Sequence, residues 1–139
     1  IEAQFSPEIR NAYDRQAYSN LLSSPHHDED IIEAQELIRR DYQKALNTEN
    51  LASQLKISVR TFNRRFKSAT GITASEYLDQ QRLNIARELL RTSNLSIFEI
   101  AAQTGYQDSS YFCARFKRKM NQTPLTYRKS VRGKLFTVS

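Results

Sequence analysis

Apolar residues recur along most of this chain at the spacing of three and four residues that is typical of α-helices. The first clear run follows an acidic stretch over residues 28–30, which suits the positive end of a helix dipole. Its apolar positions fall on one face of a helix, at Ile31, Ala34, Ile38 and Tyr42. Residues 1–27 lack such a period and contain the break Ser23-Ser24-Pro25, so we expect a linker there.

Capping residues divide the rest of the chain into further helices. Helix starts are indicated by Ser58, Thr73, Ser96, Asp108 and Thr123. Helix ends are indicated by Gly71 and Gly105. We therefore predict an all-α chain of about seven helices, with a long central helix over residues 74–92. Buried stripes are expected at Val59, Phe62 and Phe66, and again at Phe112, Phe116 and Met120.

An internal repeat indicates the architecture. The triplet Arg65-Phe66-Lys67 recurs 50 residues later as Arg115-Phe116-Lys117, and Gly71 matches Asn121 at the same offset. Glycine and asparagine are the residues that best tolerate left-handed backbone, so the last match has a physical meaning. Each copy is predicted to form a short helix, a tight turn and a second, basic helix. This pattern is that of a helix-turn-helix, here over residues 48–71 and 96–121.

The predicted central helix connects the two copies. Counted from Ala74 to about Arg91, 18 residues at 1.5 Å each give a helix of ~27 Å. A rigid connector of that length would set the two second helices about one turn of DNA apart, ~34 Å. A single chain could then reach two major grooves on one face of a duplex, which a dimer usually achieves with two chains.

The charge of the chain agrees with a polyanionic partner. The formal net charge is +6 and the pI is about 9.6. Residues 1–47 hold 5 Lys and Arg against 9 Asp and Glu, whereas residues 48–139 hold 16 against 6. The expectation of a polyanion therefore belongs to the C-terminal two-thirds. No apolar run approaches the ~18 residues of a membrane span, so we expect no membrane partner.

A set of motifs spreads over both copies. Those of the first half are Leu51-Ala52-x-x-Leu55, Arg65-Phe66-Lys67, Gly71-Ile72-Thr73, Tyr77-Leu78, Arg82-Leu83, Ala86 and Leu89-Leu90. Those of the second half are Ile97-x-x-Ile100-Ala101, Gly105-Tyr106, Tyr111-Phe112, Phe116-Lys117 and Pro124-x-x-Tyr127-Arg128. With these motifs, residues 28–131 resemble the DNA-binding domain of the AraC/XylS family of bacterial transcription regulators.

The resemblance implies a fold, a function and partners. It implies seven helices, two helix-turn-helix subdomains joined by a long helix, and insertion of both recognition helices into consecutive major grooves of double-stranded DNA. It also implies transcription regulation in the cytoplasm, activation as the commoner outcome, and RNA polymerase as a further partner. A separate effector-binding domain, usually N-terminal, belongs to the pattern, and residues 1–27 are too short to form one. Because the chain begins at Ile1 rather than Met, we expect a fragment of a longer protein, with residues 132–139 as a tail.

Candidate base-reading residues lie on the first recognition helix. Arg60, Asn63 and Arg64 stand at i, i+3 and i+4, so they can meet a groove together. Arg64 can read guanine with two hydrogen bonds, and Asn63 can read adenine. The resemblance places the family's base-contacting positions on the same three residues. Ser58 and Lys67 are expected to contact phosphates, and a merely solvated polar face is the alternative.

The second recognition helix offers shorter side chains. Its base-contacting candidates are Ser109, Ser110, Tyr111 and Ala114. The family often has a long polar or basic residue where this chain has Ala114, which can at most touch a thymine methyl. We therefore expect weaker base reading by this half. Lys117 and Arg118, with Lys119 beside them, suit phosphate contacts, which add affinity without sequence information.

Two alternatives remain open at this point. Arg65 and Arg115 could each contact a phosphate or form an internal ion pair. The rival function is a helical protein-interaction module whose basic face binds an acidic partner. Salt-dependent binding to duplex DNA, compared with binding to a protein bait, would distinguish the two functions.

No constellation of residues indicates an enzyme. His26 and His27 are adjacent and lack the helical spacing of metal ligands. Cys113 lies within a recognition helix, where a packing role is commoner than a nucleophilic one. We therefore expect no catalytic residue, no cofactor and no metal site.

Overall fold

The computed structural model describes residues 28–137, with side chains described through residue 133. Seven α-helices follow one another over that range, and no strand occurs within it. They are α1 (Glu29–Asp41), α2 (Thr48–Gln54), α3 (Val59–Thr70), α4 (Ala74–Thr92), α5 (Ile97–Gln103), α6 (Ser109–Met120) and α7 (Pro124–Thr137). The predicted all-α fold is confirmed. The predicted linker over residues 1–27 lies outside the described residues.

The described residues form two compact units. The first unit comprises residues 28–36 and 48–74, and the second unit comprises residues 37–47 and 75–137. Each unit holds one helix-turn-helix, made of α2 and α3 in the first and of α5 and α6 in the second. Helix α1 contributes residues to both units.

The core of the first unit is small and closely covered. Its most buried apolar side chains, none more than 1% exposed, are Ile31, Ala34, Leu51, Ala52, Phe62 and Phe66. Helix α2 packs against α3, and the ring centroids of Phe62 and Phe66 are 5.7 Å apart. Truncating a buried phenylalanine to alanine typically costs 3–5 kcal/mol, so this pair fixes which face of α3 points inward.

The expected burial of Val59 is wrong. Val59 is 37% exposed, whereas Phe62 and Phe66 are fully buried. A helical side chain leans over the turn that precedes it, and Val59 is the first residue of α3. With no preceding helical turn to pack on, Val59 stays at the rim of the stripe.

The core of the second unit draws on α4, α5 and α6. Its buried members are Leu83, Ala86, Leu90, Ile100, Ala101, Tyr106, Phe112 and Phe116. Helix α5 packs against α6, and α6 packs against α7, where the ring of Tyr127 meets Phe116 edge-on at 5.7 Å. Met120 packs against the same core and is partly buried, so the predicted stripe of α6 is confirmed.

The predicted N-caps Ser58, Ser96 and Asp108 are confirmed by their hydrogen bonds. Ser58 Oγ accepts a hydrogen bond from the N–H of Thr61 at 3.1 Å, which caps α3. Ser96 and Glu99 form a complete capping box on α5. The carboxylate of Asp108 accepts from the N–H of Ser110 at 2.8 Å and caps α6.

Both recognition helices end in a left-handed residue. Gly71 has a φ of 86° after α3, and Asn121 has a φ of 63° after α6. Each donates its backbone N–H at 2.8 Å, to the carbonyl oxygens of Lys67 and Lys117 respectively. The matched Gly71 and Asn121 of the sequence repeat are thus matched in conformation as well.

The turns inside the two helix-turn-helix copies also correspond, but with different residues. Lys56 has a φ of 60° in the first turn, and Gly105 has a φ of 98° in the second. The next residue closes each turn in the same way. Ile57 donates its N–H to the carbonyl of Ala52 at 3.1 Å, and Tyr106 donates its N–H to that of Ala101 at 2.9 Å. A left-handed lysine was not predicted from the sequence.

Close packing around Gly105 requires a glycine. A Cβ atom there would lie 2.3 Å from the carbonyl oxygen of Tyr42 and 2.8 Å from Nε of Arg82. Arg82, itself 9% exposed, donates from Nε to the Tyr42 carbonyl and from Nη2 to the Lys44 carbonyl, both at 2.9 Å. These bonds join the segment after α1 to α4, and Gly105 of the second turn packs closely against both.

Helix α7 closes the second unit. Arg128 donates to the carbonyl oxygens of Leu90 and Ser93, both at 3.1 Å, and Arg132 donates to Ser93 and to Asn94. Cationic donors at the carbonyl end of α4 suit the negative end of its dipole. The helix continues to Thr137, so it includes residues 132–137 of the segment that the sequence analysis took as a tail.

Candidate nucleic-acid interface

One face of α3 presents exposed polar side chains, three of them cationic. This first face consists of Arg60, Asn63, Arg64 and Lys67. It lies opposite the buried Phe62 and Phe66, as the sequence predicted. Among the described residues, the four side chains have no hydrogen bond or ion pair that would hold them back from a ligand.

Ser58 adds a hydroxyl beside the first face. It is exposed, and its Oγ accepts the N–H of Thr61 while its own O–H remains to donate. A helix N-terminus concentrates partial positive charge and backbone N–H groups. The start of α3 is therefore suited to an anionic oxygen.

The corresponding face of α6 is less rich in donors. This second face consists of the exposed Ser110, Tyr111, Ala114, Lys117 and Arg118. At the repeat offset, Ser110 stands where the first face has Arg60, and Ala114 stands where it has Arg64. Ser109, the remaining candidate from the sequence, is half-buried at the first position of α6.

The position that matches Asn63 is occupied by Cys113. Its side chain is partly buried and packs against the core of the second unit. Burial raises the pKa of the Cys113 thiol, so the group stays protonated and offers only a weak donor. The second face therefore has no amide in the place of Asn63.

Tyr111 is the one aromatic side chain on the second face. It is 54% exposed, and its ring centroid lies 6.2 Å from that of the buried Tyr106. The Tyr111 ring thus packs against Tyr106, and its phenol hydroxyl remains accessible. An aromatic ring in that position can cover a thymine methyl or donate one hydrogen bond.

The two alternatives for Arg65 and Arg115 are decided in favour of internal ion pairs. Arg65 donates from Nε to Asp28 Oδ2 at 2.8 Å and from Nη2 to Asp30 Oδ2 at 3.0 Å. Arg115 donates from Nε to Asp79 Oδ2 at 2.8 Å, and its Nη2 reaches the same oxygen. Both arginines thus lie against the helix that precedes their helix-turn-helix.

Ionisation in these clusters follows from their contacts. The hydrogen bond from Arg65 holds the pKa of the Asp28 carboxyl below its usual range, so that carboxyl stays charged. Burial, with the neighbouring Asp79 carboxylate, raises the pKa of the Tyr106 phenol well above its usual range. Tyr106 therefore remains a neutral donor to Asp79, at 2.7 Å.

Sequence reasoning missed the partners of these arginines. Asp28 and Asp30 were assigned only to a helix start, and Asp79 was given no role. The hydrogen bonds from the two arginines to these aspartates join residues 35 to 37 positions apart, so no local spacing in the sequence predicts them. The one available signal was the recurrence of arginine at the repeat offset, which left both alternatives open.

Two further features concern residues 28–137, the part of the chain that the structure describes. No group of three or more His, Cys, Asp or Glu side chains in that part of the chain could hold a metal ion. Within the same range, no helix is both long and apolar enough to cross a membrane.

Comparison with known proteins identifies the family. Residues 51–130 match the family model of a helix-turn-helix domain. The matched range is more than half of the chain. The HTH-type transcriptional activator RhaS of Escherichia coli is 39% identical over 88 residues. That match covers 63% of this chain and 32% of RhaS, so the chain spans about a third of the length of this relative.

Solved structures agree with the sequence match. The DNA-binding domain of the global transcriptional factor AdpA, in complex with a target DNA, is 30% identical with a TM-score of 0.73. The similarity covers 77% of this chain and 96% of that one. A transcriptional regulator from Chromobacterium violaceum, described by its AraC-type DNA-binding domain, is 29% identical with a TM-score of 0.65, covering 73% and 91%. The chain therefore belongs to the AraC/XylS family of transcription regulators and contains the DNA-binding domain of that family.

Proposed function

We propose that this chain binds specific duplex DNA by inserting α3 and α6 into consecutive major grooves, and that it thereby regulates transcription. The first face carries the proposal. Three cations and an amide stand exposed together on one side of a helix whose other side is fixed by buried phenylalanines. A major groove admits a helix of this kind. The similar AdpA domain, solved in complex with a target DNA, supports DNA as the partner.

Base contacts are assigned to both recognition helices. On α3 they belong to Arg60, Asn63 and Arg64, whose donors and acceptor can form paired hydrogen bonds with guanine and adenine. On α6 they belong to Ser109, Ser110, Tyr111 and Ala114. Because Ser109 is half-buried, we expect its hydroxyl to contribute least among these four.

Phosphate contacts are assigned to residues at the edges of the two faces: Ser58, Lys67, Lys117 and Arg118. Each is exposed. Phosphate contacts set the register of a protein on the duplex and carry no sequence information of their own. Arg65 and Arg115 are left out because their guanidinium groups are already bonded to carboxylates.

Two grooves are proposed because the helix-turn-helix occurs twice in one chain. Helix α4, which connects the copies along the sequence, has 19 residues and a length of about 28 Å. Successive major grooves on one duplex face are ~34 Å apart. A monomer would then span what usually requires two subunits.

Binding and footprinting test the proposal. The chain is incubated with duplexes selected from a random pool, and protection is mapped on both strands. We expect two protected stretches about one turn apart, within roughly 16–20 base pairs, at one chain per duplex. A single short patch, or binding only as a symmetric dimer on a palindrome, contradicts it. Binding to an acidic protein bait, without salt-dependent binding to duplex DNA, would instead favour the protein-interaction module.

Further features of the proposed function concern the whole regulator. The similarity to RhaS, which is named an activator, supports activation rather than repression. We also propose RNA polymerase as a partner, a cytoplasmic location, and an effector-binding domain that acts together with residues 28–131. A reporter gene placed behind the selected site tests activation. Expression that falls rather than rises when the regulator is supplied would contradict activation.

A further inference from the structure

One carboxylate in the second unit holds two groups that position α6. Asp79 Oδ1 accepts the phenol hydrogen of Tyr106 at 2.7 Å, and its Oδ2 accepts from Nε of Arg115 at 2.8 Å. Tyr106 lies in the turn just before α6, and Arg115 lies in the middle of α6. Asp79 therefore ties both the entry and the body of the recognition helix to α4.

The same link occurs independently in the first unit. Arg65, which matches Arg115 at the repeat offset, donates to Asp28 at 2.8 Å and 2.5 Å and to Asp30 at 3.0 Å. These carboxylates lie at the start of α1. The turn residue that matches Tyr106 is Ile57, which has no hydroxyl. The second unit thus adds a bond to the turn that the first unit lacks.

The second face depends more strongly on helix position than the first. Arg60 and Arg64 have long side chains that can adjust to a displaced helix. Ser110 and Ala114 reach only a short way from the backbone. A hydrogen bond weakens steeply with distance and angle, so a small rotation of α6 would remove one made by Ser110. The same rotation would carry the Ala114 methyl group out of van der Waals contact.

We propose, on the basis of the function proposed above, that Asp79 is a positioning residue that sets the base preference of α6 without touching DNA. Its bonds to Arg115 and Tyr106 fix the depth and rotation at which Ser110 and Ala114 meet the groove. Asp28 is the counterpart for α3, with a smaller effect because the long arginines of the first face tolerate displacement.

The test compares conservative variants of both links. Asp79→Asn removes the charge and keeps the shape of the side chain, and Asp28→Asn is the matched change in the first unit. Tyr106→Phe removes one hydrogen bond and leaves the ion pair in place. Each variant and the unchanged chain are offered a random duplex pool. Their affinities, salt slopes and melting curves are measured on the selected duplex.

We expect Asp79→Asn to flatten the preference at the second half-site by about 3- to 10-fold, the value of one or two neutral hydrogen bonds. The first half-site and the salt slope stay unchanged, because no phosphate contact is lost. Tyr106→Phe shows the same change at smaller size. Asp28→Asn affects only the first half-site, and by less.

Several results would overturn the positioning role. One is an unchanged base preference in Asp79→Asn, or in Tyr106→Phe if Asp79→Asn does not fold. A second is a uniform loss of affinity that the melting curves account for. A third is an Arg115→Gln variant that lowers the salt slope by about one unit, which would make Arg115 a phosphate contact. The unchanged chain is tested first. If it selects no bipartite site, the proposed function fails, and this failure is distinct from a failure of the positioning role.

Discussion

The two helix-turn-helix copies agree in the residues that point inward and differ in those that point outward. Their phenylalanine pairs have nearly equal ring separations, 5.7 Å and 5.9 Å, and each copy has an inward arginine bonded to a carboxylate. On the outside, Ser110 and Ala114 of the second copy stand at the positions that correspond to Arg60 and Arg64 of the first. Packing therefore constrains the inward side of each recognition helix, whereas the exposed side is free to change.

In the turns and at the helix ends, the two copies share a backbone conformation but use different residues. The two turns share a left-handed conformation, yet the first copy uses Lys56 and the second uses Gly105. At the helix ends it is the first copy that has the left-handed glycine, Gly71, whereas the second copy has Asn121. A glycine is indispensable only where a neighbour leaves no room, and that condition holds at Gly105 alone among these four positions.

The largest expected effect separates the two glycines. Gly105→Ala should destabilise the second unit by more than about 3 kcal/mol, because the new Cβ would meet backbone oxygen of Tyr42 in addition to a strained φ. Gly71→Ala should cost about 1 kcal/mol, since open space surrounds that position and only the φ is strained. Urea unfolding measures both. Equal losses would show that the close approach at Gly105 is unimportant.

A second experiment compares the two faces directly. Arg64→Ala should cost about 1–3 kcal/mol on the selected duplex and flatten the preference at one base pair of the first half-site. Ser110→Ala should cost less, and Ala114→Arg should tighten binding by adding a contact. All affinities are measured at one salt concentration, because the lost charge of Arg64 otherwise imitates lost specificity. The assignment of the two halves is wrong if Ser110→Ala shifts the selected sequence while Arg64→Ala weakens all duplexes alike.

The phosphate contacts of the second face should behave differently from its base contacts. Replacing Lys117 or Arg118 with alanine should weaken specific and random duplexes equally and lower the salt slope by about one unit each. Arg40→Ala, at an exposed cation of α1 outside both faces, is the matched control and should leave the slope unchanged. A changed base preference at constant slope would refute the phosphate role.

The turn of the first copy offers a smaller effect with the opposite sign. Lys56→Gly should stabilise the fold by up to about 1 kcal/mol, because glycine relieves the left-handed strain at a cost in chain entropy. Thermal melting at neutral pH detects it. Destabilisation would mean that the lysine side chain makes a contact that offsets the strain.

The smallest expected effect concerns the caps. Ser58 and Asp108 cap the two recognition helices, and serine and aspartate are about equal in that role. Asp108→Ser should therefore preserve stability while removing a negative charge near the proposed phosphates. We expect tighter binding by about 0.5 kcal/mol at low salt, fading as salt is raised. Unchanged affinity at low salt would place Asp108 away from the duplex.

Local rules predicted most of the helices from the sequence. The central helix was expected over residues 74–92 and runs from Ala74 to Thr92, and the caps at Ser58, Ser96 and Asp108 are all present. Capping depends on residues within four positions of one another, so sequence carries it directly. The exposed polar face of α3 was predictable for the same reason, since helical spacing alone places Arg60, Asn63 and Arg64 together.

Contacts between distant segments could not be predicted in this way. The ion pairs of Arg65 and Arg115 and the approach of Gly105 to Tyr42 join residues far apart in the chain. The sequence repeat also includes α1 and α4, which its motifs did not indicate. Buried residues of α1 and α4 correspond at an offset of 52 rather than 50, in the pairs Ile31 and Leu83, Ala34 and Ala86, and Ile38 and Leu90. Ordinary aliphatic residues at a shifted offset do not stand out in a sequence.

The second unit is discontinuous in the chain, because residues 37–47 belong to it and are separated from residues 75–137 by the first unit. The segment that matches the family model, residues 51–130, is therefore shorter than the piece that folds. A truncation beginning at residue 48 would remove the carbonyl oxygens of Tyr42 and Lys44 and leave the buried Arg82 guanidinium without its acceptors. A fragment that keeps both units whole thus starts at or before α1. The second helix-turn-helix cannot be expressed as residues 75–137 alone without losing residues 37–47 of its own unit.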